Sequence, residues 1–344
     1  MSFSAIAGQE HAVSTLRSAL QSGQLHHAYL FGGPEGVGKE LTARTFAQAA
    51  NCQRGDGDAC GECSSCRRFE SRNHPDVIFV LPEAEQIARG WAGRSDFEGT
   101  PSREIKIGQV RRLQERLWLK ALEARRRFVL IACAEAMNAQ AQNALLKTLE
   151  EPPEGTTLIL VSSAPHGLLP TIRSRCLKID FGPLPLDLIA ERVLASRKTD
   201  LPTARLCAAL AGGSLSAALA LDPAALDRRH ELITRVEALE EEGARGALLL
   251  AADFASDRSS AEIHLDLLRA WYRDVAAIGS GAASEQIANR DLAAQALASA
   301  KRLGPAEALR RIDLCGAAKA TFRFNASSRL QMEQTLLRFL FPDA

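Results

Sequence analysis

The chain has 344 residues, 46% of them hydrophobic, with 42 Lys and Arg set against 41 Asp and Glu for a formal net charge of +1. That length implies two or three domains, and the charge balance argues against a stand-alone nucleic-acid binder, which needs a basic excess. No apolar run approaches the ~20 residues of a membrane span, and the start, MSFSAIAGQEHAVSTL, lacks a signal-peptide pattern, so a cytoplasmic location is expected.

The first half alternates strand-like and helix-like stretches. Residues 26–31 (HHAYLF) are a short apolar run closed by a Gly-rich turn, and 40–51 read as a helix. A second strand covers 76–81 (DVIFVL). Residues 83–102, with several Gly and little periodicity, read as a mobile surface insertion. An amphipathic helix follows at 109–122. The third strand, 127–133 (RFVLIAC), is an unbroken apolar run, as expected for a strand buried on both faces. A helix at 139–151 is stopped by Pro152-Pro153. Strands at 156–163 and 176–181 complete the set. The alternation predicts an α/β domain with a parallel sheet and helices on both faces. After Pro183 nearly everything is Ala- and Leu-rich with helical periodicity, broken at Gly212-Gly213 and Asp222-Pro223. The expected domains are therefore 1–181, a small helical domain at 182–222, and an all-helical domain at 223–344 with a loop at 279–284 (GSGAAS).

The turn after the first strand, FGGPEGVGKE, matches the phosphate-loop pattern from Gly33 through Lys39, with Gly33, Gly36, Gly38 and Lys39 in place. Such a loop aims backbone N–H groups at phosphates from a helix N-terminus, and its lysine reaches the outer phosphates. The next residue ordinarily carries a hydroxyl for Mg²⁺, but here it is Glu40. A carboxylate repels a phosphate charge ~4 Å away by ~4 kcal/mol at an effective dielectric near 20, although it can itself bind a metal. Hydrolysis also needs an acidic pair at the tip of an apolar strand. The tip here is Ala132-Cys133, and the nearest acid, Glu135, lies beyond the strand end. The loop thus leaves ATP binding open and points away from hydrolysis.

Cys52, Cys60, Cys63 and Cys66 offer four thiols within 15 residues, on a Gly- and Asp-rich stretch that can wrap an ion. Four sulfurs suit a closed, structural, tetrahedral Zn²⁺ site. An iron–sulfur cluster is a rival, although the Cys-x3-Cys-Pro ending of ferredoxins is missing; free thiols or disulfides are another. Cys133, Cys176, Cys207 and Cys315 read as small buried hydrophobes, and His26, His27 and His74 as ordinary polar residues.

Four segments together resemble the bacterial clamp-loader branch of the AAA+ family: LHHAYLFGGPEGVGK (25–39), the cysteine cluster, NALLKTLEEPP (143–153) and LLPTIRSRC (168–176). The resemblance is strong from Phe3 to about Leu221; beyond that it rests on class and length. It implies a P-loop domain carrying a zinc module, a small helical lid and an all-α collar through which subunits join. Hydrolysing motor members carry Ser or Thr at position 40, acids at 132 and 133, and an arginine after the Gly-Ser of the lid, where this chain has Gly213-Ser214-Leu215-Ser216. The polar sensor after the fourth strand is blurred here, at Ser162, Ser163 and Ala164. In these losses the chain is similar to the delta-prime members of the branch, which generally do not hydrolyse ATP. The arginine of the Ser174-Arg175-Cys176 motif is kept. The resemblance implies that Arg175 is a finger donated in trans to a neighbouring ATPase site. It also implies motor (gamma/tau) and delta subunits as partners, with the sliding clamp and primer-template DNA reached through the complex. The alternatives are an active ATPase motor, which positions 40, 132 and 133 speak against, and a zinc-containing DNA-binding regulator. Arg67, Arg68 and Arg72 weakly suggest the latter, and the near-neutral charge opposes it.

Overall fold

The computed structural model describes residues 2–342 apart from 56, 72, 119–124 and 323–325. The chain forms two compact units, Met1–Leu184 and Pro185–Ala344. The first is α/β. Its strands are β1 (Ala28–Gly32), β2 (Val77–Val80), β3 (Arg127–Ile131), β4 (Thr156–Ser162) and β5 (Leu177–Asp180). They form one parallel sheet in the order β2-β3-β4-β1-β5. The central strands β1, β3 and β4 are buried along their whole length, which explains the apolar runs 28–31, 128–131 and 158–161 within them. Edge strand β5 buries only Ile179.

Strand alternation sorts two cores. Leu30, Val129, Ile131, Leu158 and Leu160 join Val110, Leu113 and Leu117 of α5 (Ile107–Trp118) and Leu145 and Leu149 of α6 (Ala139–Glu150). On the opposite face Tyr29 and Phe128 stack edge-on against Phe46 of α2 (Lys39–Ala50), at centroid distances of 5.3 and 5.9 Å. Asn138 caps α6 by accepting the Ala141 N–H at 2.9 Å. The unit is completed by α1 (Glu10–Ser22), α3 (Ser64–Glu70), α4 (Glu83–Ala88) and α7 (Pro170–Arg173).

Three expectations change. β3 ends at Ile131, before the predicted Cys133, because Cys133 takes a left-handed φ of 54°. The stretch 83–102 is structured: it holds α4 and a 3₁₀ turn at Arg94–Asp96, and the Glu83 carboxylate accepts the Ser102 N–H at 2.8 Å, tying its two ends together. The helix expected at 109–122 starts at Ile107, and its residues from 119 on lie outside the described residues.

Among its described residues the second unit has helices and no strands: α8 (Leu186–Ser196), α9 (Leu201–Leu210), α10 (Leu215–Ala220), α11 (Pro223–Glu237), α12 (Leu239–Phe254), α13 (Arg258–Gly279), α14 (Ala293–Thr321) and α15 (Ser328–Leu340). The polar residue before each of α9, α10, α11, α13 and α15 is a side-chain cap. Trp271 and Tyr272 are fully buried, and the Arg311 guanidinium donates to the Tyr272 hydroxyl at 3.1 Å.

Candidate phosphate loop, cysteine centre and arginine rim

The loop follows β1 directly and leads into α2, the strand–turn–helix context a phosphate loop needs. Gly36 and Gly38 hold φ of 75° and 97°. At Gly33 a Cβ would lie 2.2 Å from the Phe181 carbonyl oxygen, so the close approach of β5's exit requires glycine. The buried Gln9 amide donates to the carbonyls of Val37 (3.3 Å) and Gly182 (2.8 Å), joining the loop to the same exit.

Lys39 is 5% exposed. Its ammonium donates to the Gly33 carbonyl at 2.7 Å, to the Pro34 carbonyl, and to Ser163 Oγ at 3.2 Å. Burial lowers its pKa, while the charges of Glu135 and Glu35 oppose that. Ser163, in the blurred sensor region, thus touches the loop lysine. Glu135 accepts the Ser163 N–H at 3.1 Å, and its other oxygen is buried without a partner.

Glu40, next to Lys39, is met by an arginine from another segment. One guanidinium nitrogen of Arg89 lies 2.8 Å from both oxygens of Glu40. Arg89 Nε is 3.3 Å from Glu85, and the guanidinium lies 5.5 Å from the Trp91 ring, which packs edge-on against Phe79 of β2. The negative charge that Glu40 adds to the loop is therefore paired. Sequence reasoning missed Arg89; its one signal was the i,i+4 spacing of Glu85 and Arg89. Ala132 is buried and offers no ligand. Burial pushes the Cys133 thiol up to about 12, with the charges of Glu85, Glu135 and Glu40 adding and that of Arg89 opposing.

The four clustered cysteine sulfurs lie within 4.8 Å of one another. Zn–S bonds of ~2.3 Å place tetrahedral sulfurs about 3.8 Å apart, and the Cys60 and Cys66 sulfurs are separated by 3.9 Å. The Cys63 N–H points at Cys60 Sγ and the Cys66 N–H at Cys63 Sγ, each at 3.4 Å; the second caps α3. Burial raises the Cys63 thiol, but N–H groups of Gln53 and Cys66 outweigh it and hold it down at about 6. Burial pushes the Cys66 thiol up to about 12, where only a metal would make it a thiolate. The donor set and spacing fit a closed Zn²⁺ site. Within the same module Asp58 accepts from Ser2 Oγ (2.7 Å), the Phe3 N–H (3.1 Å) and Arg17 (3.2 Å), so the module pins the N-terminal segment.

Arg175 lies at the other end of the sheet. Leu177 pairs in parallel with Tyr29 at the start of β1, while the loop begins after Gly32. Five residues of strand at ~3.3 Å each separate the two ends by roughly 16 Å. Arg175 donates to Glu150 at 2.7 Å and to the Thr171 carbonyl at 3.0 Å, with its side chain 35% exposed. Arg173 instead faces His166 at 3.5 Å. Ser214, of the Gly213-Ser214 pair, caps α10 by accepting the Ala217 N–H, and its hydroxyl lies 3.3 Å from that of Ser216, which follows the pair where the resemblance expects a motor's arginine.

A family model described as "DNA polymerase III, delta subunit" matches residues 8–185. The chain is 31% identical to DNA polymerase III subunit delta' of Bacillus subtilis over 277 residues, 79% of this chain and 78% of that one. It is 35% identical to the protein of the same name from Pseudomonas aeruginosa, over 72% of this chain and 70% of that one. It is also 37% identical to DNA polymerase III subunit tau/gamma of Haemophilus influenzae, but over only 51% of this chain and 23% of that one.

Proposed function

The chain belongs to the DNA polymerase III delta' family of clamp-loader subunits, and we propose that within the loader it is a non-hydrolysing partner that assists a neighbour's ATPase site. The observation that carries this reading is the self-satisfied loop. Lys39 is bonded to its own loop's carbonyls and Glu40 to Arg89, and Ala132-Cys133 supply no carboxylate to hold Mg²⁺ or activate water. The ring would contain tau/gamma motor subunits and a delta subunit, act in the cytoplasm, and place the sliding clamp on primed DNA. Residues 1–181 would be the AAA+ domain with its zinc module, 182–222 the lid and 223–344 the collar that joins subunits.

In this reading Cys52, Cys60, Cys63 and Cys66 hold a structural Zn²⁺, which ties down the chain between α2 and α3. Gly33, Gly36, Gly38 and Lys39 keep the shape of a phosphate loop without its turnover. Arg175 is the finger. Its distance from its own loop and its partial exposure support a target on another subunit. Arginine suits the task because it stays charged and presents a planar fork of donors to phosphoryl oxygens. To serve, its guanidinium would exchange the Glu150 carboxylate for a phosphate.

A nucleotide titration and turnover assay tests the reading, first on the isolated chain and then with motor subunits added. No turnover is expected from the chain alone. Robust Mg²⁺-dependent hydrolysis lost in Lys39→Ala would instead support the second reading, an active motor, which the local likeness to tau/gamma keeps in view.

A further inference from the structure

Position 40, which carries the magnesium-binding hydroxyl in a hydrolysing loop, meets a guanidinium here. Arg89 touches both oxygens of Glu40, and its charge reaches the Cys133 thiol, as do those of Glu85 and Glu135. Two carboxylates, Glu40 and Glu85, therefore hold a single cation, and that cation is a side chain from outside the loop, 49 residues away in sequence from Glu40. We propose that Arg89 stands in for the divalent ion at the degenerate loop, and that through it residues 83–102 are strapped over the loop's metal side.

Several contacts make the strap more than a lone surface ion pair, which would be worth little. Glu85 holds Nε from the previous turn of α4, Trp91 stacks on the guanidinium and is itself anchored on Phe79, and the Glu83–Ser102 bond closes the segment on itself. A guanidinium keeps its charge at any ordinary pH, so the place stays filled. A metal would have to displace Arg89 and find its ligand, Glu40, already engaged. The inference rests on the reading of the loop as non-hydrolysing.

The test uses the full zinc-loaded chain, as wild type, Arg89→Ala and Glu40→Gln, with amide hydrogen exchange across 83–102 and titration with Mn²⁺. Both variants should speed exchange in 83–102 by about fivefold or more, since exchange reports local opening. Arg89→Ala alone should also bind Mn²⁺ about tenfold or more tightly than wild type, because it leaves Glu40 and Glu85 without their cation. Unchanged exchange in both variants, or Mn²⁺ bound as tightly by wild type as by Arg89→Ala, overturns the proposal. The two failures are distinguishable: ATP turnover by the wild-type chain would overturn the non-hydrolysing reading, whereas the exchange and Mn²⁺ results bear on the strap.

Discussion

The phosphate loop and the cysteine centre lie in the same unit, at the two ends of α2, and they differ in where their partners come from. At the loop the charged groups are answered from within the chain: Lys39 by the Gly33 and Pro34 carbonyls, Glu40 by Arg89. At the cysteine centre four sulfurs converge on one another, with Cys52 and Cys66 wholly buried, and backbone N–H groups supply only part of what thiolates require. Converging donors of one kind call for an ion, whereas charges already paired do not. In the proposed reading the loop keeps its Gly pattern as an architectural turn without its turnover.

Removing the metal should produce the largest effect and gives the sharpest test of the contrast. Protein purified without added metal should carry about one zinc per chain, and stripping it should unfold the 52–71 module, since structural zinc contributes folding energy directly (~10–16 kcal/mol in isolated zinc-finger peptides, an upper bound here). Cys66→Ser should lose the zinc and melt at a much lower temperature. Because Asp58 fastens Ser2 and Phe3, the N-terminal segment should be released with the module. Iron in place of zinc, or a Cys52–Cys60 disulfide, would end the zinc assignment and blur the contrast.

The same contrast marks what could be read from the residues alone. The parallel sheet was legible because central strands buried on both faces carry continuous apolar runs, as at 128–131 and 158–161. The cysteine spacing was legible because metal ligation is local in sequence. The Glu40–Arg89 pair was not: its members are far apart, and residues 83–102 carry too few periodic apolar positions to announce α4. Nor does an apolar strand reveal that its last predicted residue, Cys133, will turn left-handed. A charge at an unexpected position says that a partner is needed, without saying where in the chain it lies.

The second effect in size concerns the rim at the far end of the sheet, whose charge is neither sealed inside like Lys39 nor convergent like the thiols. Arg175→Ala should fold and assemble normally, since its side chain is partly exposed and its bonds are to one carboxylate and one carbonyl. An arginine finger is worth ~10³–10⁵ at the site it serves, but other interfaces keep their own, so the reconstituted ring should lose roughly twofold to tenfold in ATP turnover and clamp loading. Arg173→Ala should be milder. Full assembly of the Arg175→Ala ring with wild-type rates would mean that this arginine is simply Glu150's surface partner.

The smallest effect falls on Lys39 and asks whether the loop lysine now serves the fold. In a hydrolysing loop that lysine meets phosphates, and replacing it abolishes activity. Here Lys39 is buried and its ammonium donates to the Gly33 and Pro34 carbonyls and Ser163, with Glu135 close enough to act on its charge. Lys39→Ala would leave those carbonyls without their donor and the Glu135 carboxylate without a nearby cation. A buried acceptor stripped of its partner costs about 1–3 kcal/mol. Part of that is recovered, because the variant no longer buries an ammonium. The expected result is a drop of a few degrees in melting temperature, with turnover by the isolated chain as absent as before. Lys39→Arg should restore part of the loss by returning a cation to the loop carbonyls. If Lys39→Ala melts with the wild type but loses a measurable affinity for ATP, the lysine is held for nucleotide after all, and the loop is a binding site rather than a turn.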